Sequence, residues 1–224
     1  MKRRAFLLLI SIVTVSGMML ALASCGQKNK TPRLPQAADF KWGQNPELSA
    51  EALVAAGWER KLKIDDELRL VVPVDEEARA AANAVFSSDI PENHQITLYS
   101  QDGRLVIVSL FYRDSPANMA PAMEQMHADF KLDAMIWQSP VQIEKTAVGT
   151  TIEHQSAIYD TGELFVVVHD SRLKPHESIK TEDIQIDMAS GANAEVEMRF
   201  FHKHENEGLS GEALIERVKA GLAN

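Results

Sequence analysis

Hydrophobic and polar positions along this chain fall into three regimes. From Ala5 to Ala21 apolar residues run almost unbroken behind the basic head Met1-Lys2-Arg3-Arg4. Residues 26–45 show no period and carry turn formers such as Pro32, Pro35 and Gly43. Such a stretch reads as a flexible tether, with a coil reach on the order of 25 Å for ~20 residues. From Pro46 onward, helical and alternating patterns succeed one another, and they predict one globular domain over residues 46–224.

Asn45-Pro46 offers a helix start, with Pro46 at the first helical position. Leu48, Ala52, Leu53, Ala55 and Ala56 would form its apolar stripe, ending at Gly57. Leu62, Ile64, Leu68, Leu70 and Val72 alternate around Asp65-Asp66-Glu67, predicting a strand or strand pair with Pro73 near its end. Alanine-rich residues 76–86, behind Asp75 as cap, read as a short helix. Residues 94–113 predict a hairpin turning at Asp102-Gly103, since Asp-Gly tolerates the positive backbone angles of a type I′ turn. Its return strand, Leu105 to Tyr112, is apolar on both faces and so is expected at the centre of a sheet. Asn118 is placed as the cap of a helix with Pro121 in its first turn. Met119, Met123, Met126 and Phe130 then recur at helical spacing, a face that either packs on a sheet or offers an adaptable binding surface. Strands are expected at 141–148, 151–159 and 164–168, the last two turning at Asp160 to Glu163. Ile184, Ile186 and Met188 alternate, residues 190–193 turn, and Val196, Met198 and Phe200 alternate again. Ser210 caps a last helix, with Leu209 and Leu214 as a hydrophobic staple and Leu214, Ile215, Val218 and Leu222 facing inward. The sum is an α+β fold: an antiparallel sheet of hairpins with a few helices packed on it.

The leader changes the picture. A basic head and an apolar core of this length have the physical form of a secretory signal peptide. A permanent transmembrane helix needs about 20 apolar residues and polar flanks on both sides, whereas this run ends in small residues and meets no charge before Lys28. It also meets Cys25, the only cysteine among 224 residues, which rules out a disulfide within the chain. Leu22-Ala23-Ser24-Cys25 resembles the lipobox of bacterial lipoproteins. That resemblance implies that residues 1–24 are removed and that Cys25 becomes the mature N-terminus, bearing a diacylglyceryl thioether and usually an N-acyl chain. This covalent lipid is the only cofactor expected, and each buried methylene adds ~0.8 kcal/mol to anchoring. Gly26, in place of aspartate after the cysteine, implies by the sorting logic of such lipoproteins an outer-membrane address facing the periplasm rather than the inner membrane. Lys2-Arg3-Arg4-Ala5-Phe6-Leu7 also resembles a twin-arginine export signal. Lys2 in place of serine or threonine, and the very apolar core, favour the general secretory route.

Charge narrows the partners. Loss of Lys2, Arg3 and Arg4 would take the basic residues from 23 to 20 against 32 acidic ones, about −12 with histidines neutral. A surface of that sign disfavours nucleic acid and suggests no basic patch for anionic lipid headgroups, leaving membrane attachment to the acyl chains.

Candidate chemistry is sparse. Of the seven histidines, His202 and His204 could present two imidazoles on one side of an extended segment, a possible metal pair. A metal site needs three or four convergent ligands, and neither His169 nor Glu205 is shown by sequence to join them. Glu153-His154 and His169-Asp170 read as pairs on half-buried strands, and His176-Glu177 lacks the second histidine of a zinc-protease helix. No Gly-x-Ser-x-Gly, phosphate loop or dinucleotide fingerprint is present, and no catalytic residue is assigned.

The order of features resembles the DcrB-like envelope lipoproteins, relatives of the PsbP and Mog1-like α/β sandwiches. The matching stretches are 68–74, 95–112, 119–130, 141–168, 195–201 and 212–222; residues 171–194 are longer than that plan expects. The resemblance implies a non-catalytic binding or accessory role with an envelope protein as partner. Residues 166–184 also resemble the small domains of periplasmic flagellar and pilus assembly chaperones, although the glycine that pattern wants near His176 is absent. A chaperone-like assembly factor, or a periplasmic enzyme or metal-binding protein using His202 and His204, are the alternatives.

Overall fold

The fold is built outward from one hairpin. β3 (His94–Gln101) and β4 (Arg104–Asp114) pair antiparallel through a turn in which Asp102 and Gly103 have φ of 51° and 72°. Both angles are positive, as the Asp-Gly pair predicts for a twist-matched hairpin. β4 is central: Leu105, Val106, Val108 and Leu110 are all buried, and it pairs with β9 (Ala194–His202) on its other side. The computed structural model describes residues 32–72, 94–114, 116–145, 151–174 and 194–222, which lie in one compact unit beginning at Pro32.

Among the described residues, nine strands form one antiparallel sheet. β1 (Glu59–Ile64) and β2 (Glu67–Val71) form a hairpin that closes through Asp65 in the left-handed region. The order runs β1-β2-β3-β4-β9, then β8 (Leu164–Lys174) and β7 (Thr151–Asp160). Two short strands, β5 (Met135–Gln138) and β6 (Gln142–Lys145), share the outer edge of β7. The sheet buries Leu68, Leu70, Ile96, Leu98, Val166, Met198 and Phe200 on one face, beneath α1 (Pro46–Ala55) and α2 (Pro116–Asp129). On the opposite face α3 (Gly211–Leu222) brings Leu214, Ile215 and Val218 against Ile158, Phe165 and Val167. This is the α+β class that the alternating patterns predict.

Several helix signals act as expected. The Asn45 side chain accepts a hydrogen bond from the Glu47 amide, with Pro46 next to it. Ser210 Oγ accepts from the Ala213 amide at 3.2 Å, and Leu209 packs in the same cluster as Leu214. In α2 Met119 and Met126 are buried and Met123 half-buried, and Phe130 just past its end is buried too, so the methionine stripe is a sheet-packed face.

Others differ, each for a physical reason. The outermost correction concerns residues 32–45, which pack on the sheet instead of trailing as a tether. Phe40 is 4% exposed, the Trp58 indole donates to the Arg33 carbonyl, and Asp39 is buried under the Arg33 guanidinium. In α1 the buried residues are Ser49, Ala50 and Leu53, whereas Leu48 is exposed. Small side chains let the helix approach closely, and Ser49 Oγ takes the Lys41 amide at 2.7 Å. α2 starts two residues before Asn118, so Pro121 lies inside it and leaves the Ala117 carbonyl without its helical donor. β5 has no counterpart in the pattern, and the strand expected at 141–148 is described only as Gln142–Lys145. The lipobox, the helix at 76–86, His176-Glu177 and the segment 184–193 lie outside the described residues.

Candidate functional site

At one end of the sheet, the β3–β4 turn, the end of β9, the loop 203–210 and α3 enclose a groove of about 840 Å³. That is within the size range of small-ligand or peptide sites. Its apolar floor is Ile107, Phe201, Leu209 and Ala213, and its rim carries Arg104, Arg217 and His204 beside Asp102, Glu205 and Glu207.

The loop is shaped by one side chain. Asn206 Nδ2 donates to the Val106 carbonyl at 2.9 Å and the His202 carbonyl at 2.8 Å, while its own amide also donates to His202 at 3.0 Å. Leu209 closes the turn onto the Asn206 carbonyl, and Gly208 supplies the positive φ of 80° between them. The loop is thus tied to β4 across 100 residues of sequence. Lys203 ties its start to the neighbouring hairpin, through its amide to the Glu163 carbonyl and its Nζ to Asp160 at 2.5 Å. That ion pair holds the Asp160 carboxyl below the usual carboxylate range, with the Gly162 amide adding to it.

The N-terminal segment braces two residues beside the groove, Leu105 and Glu205. Gly43 donates to the Leu105 carbonyl at 3.0 Å, and the Leu105 amide returns to Gln44 at 2.8 Å. Glu205 then folds over Gly43 so closely that a Cβ there would overlap its carboxylate. Its side chain is 12% exposed and faces the Arg104 guanidinium at 3.7 Å. Arg104 itself is 65% exposed, and Arg217 has no ion-pair partner among the described residues. Two guanidiniums above an apolar floor can hold an acidic or hydrogen-bond-accepting segment with one apolar side.

The two histidines expected as a metal pair take different roles. The His202 ring stacks on Trp42, with centroids 5.4 Å apart and planes 13° apart, and its Nδ1 is buried without a partner among the described residues. Burial holds this imidazole below the ordinary histidine range, against the opposing pull of Glu205 and Glu163. His204 instead lines the groove. Among the described residues no three His, Cys, Asp or Glu side chains converge in a way that could hold a metal ion.

The remaining histidines are dispersed. His94 lies over Tyr112 at 4.0 Å, and His127 meets Tyr159 edge-on at 5.4 Å. His169 Nδ1 pairs with Ser156 Oγ at 2.8 Å. His154 Nδ1 pairs with Ser171 Oγ at 2.8 Å while its Nε2 faces Glu144 Oε2 at 3.4 Å. That last line has the connectivity of an acid–base relay. However, Ser171 sits mid-strand between β7 and β9, where the ladders take the backbone amides that a hydrolase would aim at an oxyanion. His169-Asp170 splits across the sheet: the imidazole meets Ser156, and Asp170 accepts twice from Arg172.

Arg104, Asn206 and Arg217 carry no motif, and sequence reasoning passes over them. The one available signal was the Gly208 turn ahead of a well-capped helix.

Fold and site together define an α+β protein with a charged-rim groove at one end of its antiparallel sheet. The chain matches no family model, no curated protein and no solved structure. No helix among the described residues is long and apolar enough to cross a membrane.

Proposed function

We propose that this protein is a lipid-anchored lipoprotein of the bacterial cell envelope that acts by binding a partner, without catalysis. The observation that carries this is the stretch Leu22-Ala23-Ser24-Cys25, which sets the chain's one cysteine directly behind an apolar leader with a basic head. Cys25 carries the lipid as the only prosthetic group, and Gly26 directs the protein to the outer membrane, facing the periplasm. A PsbP/Mog1-like sandwich of the DcrB-like type is the finer fold reading, supported by the order of strands, hairpins and helices. The groove beside Arg104, Asn206 and Arg217 serves as the recognition surface, and a segment of another envelope protein is its occupant; nucleic acid is not.

Labelled palmitate tests the anchor. Incorporation into the wild type and its loss in Cys25→Ser are expected, and equal labelling of both would refute the reading. Photo-crosslinking residues placed at Arg217 and at Ile143, on the far edge of the sheet, test the groove. A discrete adduct is expected from 217 alone.

A further inference from the structure

On the α2 side of the sheet, away from the groove, β7 and β8 carry a second concavity. It has two lobes, of about 190 and 200 Å³, and Gln155, Asp170 and Arg172 line both. Together the lobes reach the lower part of the size range of small-ligand pockets. Cross-strand register sets the polar side chains beside one another: Gln155 lies opposite Asp170, Glu153 opposite Arg172, and Gln138 of β5 opposite Ala157. Met123 and His127 of α2 wall the first lobe, and Met123, Ala157 and Val168 make its apolar lining.

The polar groups here are held in place yet not used up. Arg172 donates to one oxygen of Asp170, from Nε at 3.0 Å and from Nη2 at 2.7 Å, which leaves Asp170 Oδ1 without a partner among the described residues. Gln155 Nε2 donates to the Ser139 carbonyl at 3.3 Å. Ser139 is itself pinned to Ser156, giving its amide to that carbonyl at 2.8 Å and taking that amide on Oγ at 3.0 Å. Gln155 Oε1, the Gln138 amide and the Tyr159 hydroxyl have no hydrogen-bond partner among the described residues. Burial pushes the Tyr159 pKa up, so this group stays a hydroxyl that both donates and accepts.

That inventory selects a ligand chemistry. The charged lining is Asp170, Glu153 and Arg172, one net negative charge with histidines neutral. An anion needs donors alone and would face the two carboxylates, whereas a cation needs acceptors alone and would face the guanidinium. An apolar body would strip water from several polar groups without pairing them. A peptide strand would find no main-chain partners, because the ladders on either side of β7 and β8 take the backbone groups of the floor. Hydroxyls donate and accept at once, and a sugar ring adds an apolar C–H face. We propose that this concavity is a saccharide-binding site for one or two neutral sugar rings. The C–H face lies on Met123, Ala157 and Val168, and the hydroxyls bridge Asp170 and Arg172 and meet Gln138, Gln155 and Tyr159. The site is independent of the groove and of the lipid on Cys25.

The test uses the full chain, expressed with its leader and purified in a detergent that has no sugar headgroup. Cellobiose, maltose and N,N′-diacetylchitobiose are titrated in turn while amide NMR shifts are followed. Saturable shifts at Gln138, Gln155, Asp170 and Arg172 with at least one of the three are the expected result. Binding should weaken roughly tenfold in Arg172→Ala, which removes a charged donor, and severalfold in Gln138→Ala. Both positions are exposed, and wild-type shifts in the β3–β4 hairpin report that each variant is folded. No saturable shift with any of the three, shifts confined to the groove at Arg104 and Arg217, or equal affinity in both folded variants overturns the site. A tighter response of the same residues to inorganic phosphate, to propylammonium or to acetyl-trialanine amide reports an anion, cation or peptide site instead and also overturns it.

Discussion

Truncating Phe40 to alanine asks whether the domain begins near Pro32 or at Pro46. The Phe40 ring lies 5.9 Å from Trp42, 6.0 Å from Phe130 and 6.3 Å from Phe200, and the residue is 4% exposed. A buried phenylalanine removes roughly 150–250 Å² from water, about 4–6 kcal/mol at ~25 cal/mol per Å². Measured Phe→Ala losses of about 3–5 kcal/mol agree once partial collapse of the cavity is allowed for. A loss of ~4 kcal/mol is therefore expected, a large share of a domain stability of about 5–15 kcal/mol. For a domain of this size it lowers Tm by about 8–16 °C. Urea denaturation of residues 25–224 is the assay. Tryptophan fluorescence follows it well, because Trp42 lies in the segment beside Phe40 and the Trp58 indole donates to Arg33 at its start. A loss below ~1 kcal/mol, within the range of ordinary surface substitutions, would show that residues 32–45 are a tether and would refute the reasoning.

Asn206→Ala removes two hydrogen bonds that hold the groove loop, so a loss of about 1–2 kcal/mol is expected in the same denaturation assay, with faster amide exchange at 203–209. Gly43→Ala places a side chain at φ +67° against Glu205 and should cost about 1–3 kcal/mol; a double-mutant cycle with Glu205→Ala should recover the steric part but not the backbone strain. Burial lowers the folded-state pKa of His94, His169 and His202. The unfolded chain, with histidines near 6.5, therefore binds more protons below that pH, and stability should fall as pH drops through about 6.5. Thermal melts from pH ~7.5 to ~5.5 should show this slope, and it should shrink on replacing any of the three with Gln.

What could be read from sequence, and what could not, divides by the range of the interactions involved. The β3–β4 hairpin, the α2 stripe and the α3 cap are encoded within ten or so residues, in Asp102-Gly103, in the Met119 to Phe130 spacing and in Ser210. Periodicity and cap chemistry were enough for these. Residues 32–45 have no period because they form almost no regular structure, apart from the short 3₁₀ turn Ala37–Asp39. Their order comes from partners far along the chain: Phe40 on Phe200, Gly43 on Leu105, Trp42 on His202. β5 escaped for a related reason, since its residues are mostly exposed and impose no alternation. The groove is the extreme case, because Arg104, Asn206 and Arg217 meet only after β4, β9 and α3 have been assembled.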